Sequence, residues 1–332
     1  RTYKNLVIEN LSRDENFKDD YITKNNPNSV LCIPLIKQGK LIGIVYLENN
    51  LASGAFMKDR IEIIKMLSSQ AAISLENARL YSNLENITKE KTKVITEMEI
   101  ARDIQTSLLP KNPTLSGFEV ATYMHTAEMV GGDYYDIILA GGKEWFLIGD
   151  VSGHGVTAGL IMMMAQTAIH TILNSVDSKN PAELLQKVNL VISANIKKMK
   201  LNKYMTLTLF LKDEDGILYY SGMHQDLLLY SAKEKIVHIK ETNGSWLGYF
   251  ELYNDYPLDQ LLMKKDDVLL LFTDGITESM NSSGEMFDIN GLAKLLNESG
   301  KNSVQEIKEK ILNSLKHYRT EDDITFMILK KL

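Results

Sequence analysis

A single cysteine, Cys32, is all that 332 residues contain, so no intrachain disulfide can form, and a secreted fold that depends on disulfides is excluded. Proline and tryptophan are scarce as well, with six and two copies, so neither a polyproline architecture nor a repeated tryptophan motif is present. Basic residues are outnumbered: a formal net charge of -6 argues against nucleic acid or an anionic membrane surface as the main partner, because both require a concentrated basic face. The longest apolar run, Gly159 to Leu173, is interrupted by Gln166 and His170 and falls short of the roughly 18 residues that a spanning helix needs. No membrane insertion is expected, and a reducing, cytoplasmic setting fits. Arg1-Thr2-Tyr3-Lys4 shows neither an initiating methionine nor a secretory pattern, as expected of an excised fragment.

An apolar content of 44% over this length suffices for about two domains, each with its own core. Ser29 to Leu47 reads as two β-rich runs around a turn, Lys37-Gln38-Gly39-Lys40, which predicts a hairpin. Helical spacing follows from Lys58 to Leu80, so a small α+β domain over 1–80 is expected. From Ile73 to Leu108 the positions Ile73, Asn77, Leu80, Leu84, Ile87, Lys91, Val94, Met98, Ala101, Gln105 and Leu108 step alternately by four and three. Most are apolar. That is a heptad seam, with polar interruptions at Asn77, Lys91 and Gln105, and it predicts a linker helix over 73–110 that forms a coiled coil with a second copy. Pro110 and Pro113 end it.

From 113 to the C-terminus the pattern changes to short strands with interspersed helices. Strands are predicted at 118–125, 133–139, 144–151, 204–212, 217–223, 226–231, 235–240, 267–273 and 324–330, and helices at 155–175, 181–199, 290–298 and 303–317. Tight turns between successive strands favour antiparallel pairing. The predicted class is therefore α+β, with two packed antiparallel sheets flanked by helices.

Four acidic motifs stand where strands run out: Gly131-Gly132-Asp133, Gly149-Asp150-Val151-Ser152-Gly153-His154-Gly155, Thr273-Asp274-Gly275 and Asp322-Asp323. Strand ends hold side chains rigidly, and neighbouring glycines admit a close ligand. Carboxylates gathered together raise one another's pKa unless a cation lies between them. Oxygen-only ligands select hard ions, Mg²⁺ or Mn²⁺. Two such ions can activate a water for in-line attack on phosphorus, so phosphate hydrolysis is the expected chemistry. Alone, an Asp-Gly after a strand is more often a turn; the joint occurrence carries the reading. His154 is either a proton donor to the leaving oxygen or a helix-start packing residue. Met162-Met163-Met164 reads as core.

These four motifs, with the approach helix Glu99 to Pro110, resemble the SpoIIE-type branch of the PPM metal-dependent serine/threonine phosphatases. Ser29 to Leu35, Gly43 to Asn49, Gly54-Ala55-Phe56 and Gln70 to Leu80 resemble the C-terminal part of a GAF sensory domain. The first resemblance implies two Mn²⁺ or Mg²⁺ ions bridged by Asp150, with the Val151 carbonyl as a further ligand. It implies Asp133 in one ion's shell and Asp274 with Asp322 in the other's, Asp323 being the alternative to Asp322. It also implies a phosphorylated STAS-domain protein as substrate. Two departures stand out: Thr126-Ala127-Glu128-Met129 offers no arginine to hold phosphate, and Ser221-Gly222-Met223-His224 displaces a histidine by one position. The linker is expected to pack against Val151 and the glycine loop. Weighed against this are a cyclic-dinucleotide synthase, whose Gly-Gly-Asp signature is echoed only at Gly131-Gly132-Asp133, and a catalytically silent phosphatase-fold binding module.

Overall fold

Whether a strand's apolar residues alternate or run without a break decides, in this chain, whether one face of it is buried or both. The structure is a computed structural model that describes residues 3–11, 17, 20–37, 39–175, 180–253 and 255–332; Arg1, Thr2 and the predicted turn residue Gln38 lie outside the described residues. The chain divides into two compact units, Arg1–Ile95 and Thr96–Leu332.

In the first unit, β1 (Leu6–Ile8) is followed by α1 (Asp20–Asn25), β2 (Ser29–Lys37) and β3 (Lys40–Asn49). The three strands form one antiparallel sheet in the order β1-β2-β3, with β2 and β3 paired as a hairpin and an irregularity at Leu35/Ile36. One small core cluster joins Ile8, Leu11 and Val30, with Ile22 and Cys32 packed against them, and Leu31, Ile33, Leu35 and Ala72 are buried as well. The predicted helix from Lys58 and the predicted linker form one helix, α2 (Lys58–Ser107). Along it the seam residues Ile73, Leu80, Leu84, Ile87 and Val94 are exposed. Met98 and Ala101 are half-buried, and Gln105 is buried to 1% exposure. It is therefore a contact of the second unit and not an interruption in an interhelical seam.

The second unit continues with β4 (Phe118–His125), β5 (Tyr134–Ala140), β6 (Lys143–Val151), α3 (Val156–Ser175), α4 (Pro181–Met199), β7 (Met205–Lys212), β8 (Leu218–Ser221), β9 (Leu227–Ser231) and β10 (Ile236–Lys240). Then come β11 (Asp259–Leu261), β12 (Val268–Phe272), α5 (Asp274–Thr277), β13 (Met280–Asn281), α6 (Asp288–Ser299), α7 (Val304–Leu315), β14 (Tyr318–Arg319) and β15 (Ile324–Lys331). Two five-stranded antiparallel sheets result, ordered β10-β9-β12-β15-β4 and β11-β8-β7-β6-β5. Helices α3 and α4 cover the second sheet, and α6 and α7 the first. The predicted sandwich is thus present, while β11, β13, β14 and α5 had no counterpart in the sequence reading because so few residues give no periodicity.

Strand β12 shows how the layers are sorted. Leu269 and Leu271 join the core between the sheets, whereas Val268, Leu270 and Phe272 pack under α6 and α7 with Leu292, Leu296, Ile307 and Ile311. Both faces of the strand are covered, so its five residues are apolar without alternation. Local signals set the helix ends. Asn180 caps α4 by accepting from Ala182 N–H at 2.8 Å, with Pro181 at the first turn, and Ser303 and Glu306 form a capping box on α7. By length and composition α3 is apolar enough to cross a membrane, longer than the sequence run because Val156 to Ala158 extend it. Its apolar face is spent on the fold, with Ala158, Ile161, Met162, Ala165 and Ile169 buried. Met163 and Met164 are only partly buried.

Between the sheets, Phe146 and Phe210 stack at 4.5 Å with rings 4° from parallel, both fully buried. Phe210→Ala removes this contact and leaves a cavity, at a cost of about 3–5 kcal/mol. Both tryptophans, Trp145 and Trp246, lie in this unit, so urea unfolding followed by their fluorescence reads its stability. A midpoint unchanged by the substitution would contradict the packing.

Candidate active site

Asp133 stands at the entry of β5, Asp150 near the exit of β6, Asp274 at the start of α5 just beyond β12, and Asp322 just before β15. The two sheets bring these strand ends to one edge of the sandwich. Asp133 is 1% exposed, and its Oδ2 accepts from the Thr273 hydroxyl at 2.9 Å. Burial, then the charge of Asp150, raises its pKa well above the usual carboxylate range. Burial pushes Asp150 up to about 8, helped by Asp274, Asp322 and Asp323 in that order. Asp274 is pushed up to about 6 by burial, then by Asp322 and Glu278, and its buried Oδ1 has no hydrogen-bond partner.

The main chain between these residues is close-packed. A Cβ on Gly132 would lie 2.9 Å from the Val151 carbonyl oxygen and 3.2 Å from Asp150 Oδ1, so only glycine admits this approach. Gly155 has φ +82°, in the left-handed region, as the chain turns into α3. Asp322 Oδ1 accepts from the Asp323 N–H at 2.8 Å, which fixes the side chain at the turn.

Asp323 is used differently from the expected alternative ligand. Its Oδ1 accepts from Ala127 N–H at 2.8 Å, and its Oδ2 from Gly132 N–H at 2.7 Å and Asp133 N–H at 3.4 Å. The carboxylate is spent on the loop that carries Asp133, holding that loop to the start of β15. Both the Asp322 and the Asp323 carboxylates lie near enough to Asp150 to raise its pKa, but only that of Asp323 is engaged by main-chain amides of the 127–133 loop.

His154 Nδ1 meets Glu128 Oε1 at 2.6 Å, with both side chains about half exposed. It therefore neither packs nor caps α3. The linker reaches the site as well, though not at Val151 as expected. Gln105 Nε2 donates to the Gly131 carbonyl at 2.6 Å and its Oε1 accepts from Gly131 N–H at 3.1 Å, so the final turn of α2 grips the Asp133 loop. His224 Nδ1 contacts the Thr206 hydroxyl at 2.8 Å, and that hydroxyl lies 3.2 Å from the Asp150 carbonyl oxygen. Its Nε2 is buried without a partner, and burial pushes the imidazole down to about 4 against a smaller upward pull from Phe272. Lys203 Nζ donates to the Ser152 carbonyl at 2.5 Å and supports the glycine loop from beneath. The sequence places none of Glu128, Thr273, Gln105 and Lys203 at the site: Gln105 reads as a polar seam position and Glu128 as part of the loop that lacks an arginine. Thr273 and Gln105 sat inside quoted motifs, but their hydrogen-bond partners are distant in the chain.

Among the described residues no group of three or more His, Cys, Asp or Glu side chains is disposed to hold a single ion. Zinc, which takes three or four protein ligands, is poorly served by such a set. Mg²⁺ is bound through one or two carboxylates and keeps several waters. An orphaned Asp274 oxygen and carboxyls that hold their protons for want of countercharge fit a hard, hydrated cation.

Two five-stranded antiparallel sheets, a helix pair on each outer face and carboxylates meeting at one edge define a PPM-type phosphatase fold. Solved structures agree. The SiaA-PP2C domain of Pseudomonas aeruginosa superposes with a TM-score of 0.62 over 72% of this chain and 96% of its own, at 22% identity. The RsbU and RsbW domains of a Mycobacterium tuberculosis protein give 0.56 over 66% and 61%, also at 22%. In sequence, phosphoserine phosphatase RsbU of Bacillus subtilis is 27% identical over 259 residues, 76% of this chain and 75% of its own length. Phosphoserine phosphatase RsbP of the same organism is 23% identical over 243 residues, covering 70% and 57%. Residues 1–75 match the GAF domain family, and residues 140–331, more than half the chain, match the family described as Stage II sporulation protein E (SpoIIE). The chain belongs to that SpoIIE family of phosphatases, with a GAF domain before the catalytic fold.

Asp150 and Asp274 hold their protons to higher pH when folded than when unfolded. Between about pH 4 and pH 8 the folded state thus binds more protons, and the metal-free protein loses stability as pH rises through that window. Its Tm should fall more steeply across the window for wild type than for Asp150→Asn, and Mn²⁺ should flatten the wild-type slope. Equal slopes for the two metal-free proteins would show that Asp150 is not under this strain.

Proposed function

We propose that this chain is a Mg²⁺- or Mn²⁺-dependent protein phosphatase that hydrolyses phosphoserine or phosphothreonine, with a phosphorylated STAS-domain protein of a partner-switching pathway as its substrate. The observation that carries the reading is the convergence of Asp133, Asp150 and Asp274, whose mutual charge calls for cations. The phosphoserine phosphatases RsbU and RsbP support the substrate class.

Asp133, Asp150, Asp274 and Asp322 would hold the ions, Asp150 being the carboxylate influenced by every other acidic motif. The Val151 carbonyl, which lies beside Gly132, would add a neutral oxygen. When bound, the ions supply Lewis acidity to a water and neutralise charge on the transferring phosphoryl group. Thr273 fixes the rotamer of Asp133, and Asp323 fixes the loop beneath it. His154, whose Nδ1 is engaged by Glu128, would be the group that protonates the leaving serine or threonine oxygen.

In the cytoplasm, two copies would pair through the exposed seam of 73–108, burying Ile73, Leu80, Leu84, Ile87 and Val94 against one another. The domains of 1–80 and 113–332 are the parts of the chain that this linker joins in sequence.

Hydrolysis of a phosphoserine STAS protein, or of p-nitrophenyl phosphate, across a Mn²⁺ titration tests the reading. Wild type should show metal-dependent turnover, and Asp150→Asn should lose at least about a hundredfold of it, since the carboxylate holds the groups that carry transition-state charge. Turnover independent of metal, or untouched by the substitution, would rule the mechanism out.

A further inference from the structure

A groove of about 1040 Å³ opens in the second unit between the last turns of α2, strand β4, helix α7 and the 126–130 loop. It takes no part in the chemistry described above, yet it shares a wall with it. The loop that lines the groove also sends Ala127 N–H to Asp323 and Glu128 to His154. The groove wall thus carries Glu128, the partner of the imidazole assigned above to the leaving group.

Its charge runs against that of the chain. Arg102, Lys111 and Lys308 line it with a single carboxylate, Glu128, in a protein of formal net charge -6. Glu128 is already engaged by His154 at 2.6 Å. Arg102 has the Asp103 carboxylate at 3.7 Å, too far for a hydrogen bond, and its side chain is 48% exposed. Lys308 Nζ donates to the Thr122 carbonyl at 2.7 Å and lies 5.7 Å from the Tyr123 ring centroid, which holds the ammonium at the groove while leaving protons free. Lys111 is exposed. Between the cations the lining is apolar and includes Met98, Met124 and Met129, side chains that adapt to irregular partners.

We infer that this groove receives an acidic segment of the phosphoprotein substrate flanking its phosphorylated residue, with Arg102, Lys111 and Lys308 pairing the segment's carboxylates. The inference rests on the phosphatase reading above. A planar guanidinium fork suits a carboxylate bidentately, and positive charge beside the site draws an acidic protein into register before chemistry. The methionines would cover the segment's apolar side chains. The groove thereby supplies by docking part of the substrate hold that the 126–129 loop, lacking an arginine, does not.

The test compares wild type, Arg102→Glu with Lys308→Glu, and Lys111→Glu alone, on a phosphoserine STAS protein and on p-nitrophenyl phosphate with saturating Mn²⁺. For the double variant, the protein-to-p-nitrophenyl-phosphate ratio of kcat/KM should fall about tenfold or more through KM, and Lys111→Glu should show a smaller fall. Wild-type KM for the protein should climb with salt, and the double variant's should hardly respond. An unchanged ratio and salt slope would overturn the inference, as would parallel loss on both substrates in Lys111→Glu. Wild type that cleaves p-nitrophenyl phosphate in neither the presence nor the absence of Mn²⁺ would overturn the phosphatase reading itself, an outcome distinct from a KM indifferent to these charges.

Discussion

Repulsion among the carboxylates of Asp133, Asp150, Asp274 and Asp322 is the constraint around which the catalytic unit is arranged. Each is brought to the same edge by a different strand end, and for Asp133, Asp150 and Asp274 burial takes away the water that would screen the charge. Such an arrangement persists only because the flanking structure leaves it no alternative. The sheets are tied by a core that includes the Phe146–Phe210 stack, and the loops between are tied by Asp323 to three main-chain amides. In the mechanism proposed above, cations would relieve what the fold imposes, so affinity for the ion and the strain of the metal-free site would be two aspects of one geometry.

The supports around the site form a second tier. Thr273 orients Asp133, Gln105 grips Gly131 through both of its amide atoms, and Thr206 joins His224 to the Asp150 main chain. None of these needs to touch substrate. Gln105 is distinctive because it comes from the end of a helix that begins at Lys58, so the Asp133 loop is held by the element that also carries the exposed apolar seam. Any event that moves this last turn acts on the acidic site through two hydrogen bonds, each worth about 0.5–1.5 kcal/mol.

Periodicity made the larger elements legible. The nine predicted strands of the catalytic unit all have counterparts, because each has β-branched or aromatic residues between turn residues, and α4 begins at the Pro181 that its cap demands. The two-residue strands β13 and β14 and the single turn α5 were illegible, since a pattern needs several repeats to be seen. Gln105 misled for a related reason. Spacing assigned it to a helix seam, but spacing does not say which of several surfaces a helical face will meet.

The acidic motifs, their glycines and their order belong to the sequence: they were readable as strand-end carboxylates destined for a hard cation because residue chemistry and local backbone preference are properties of short segments. Which oxygen does what was decided only in three dimensions. Asp322 and Asp323 are neighbours of the same type, and nothing local separates them; the fold gives one to the acidic cluster and the other to the amides of Ala127, Gly132 and Asp133, nearly two hundred positions away. The partnership of His154 with Glu128 and the basic groove of Arg102, Lys111 and Lys308 are likewise long-range pairings. Contacts of that kind are fixed by how sheets stack and loops close, which no stretch of sequence specifies alone.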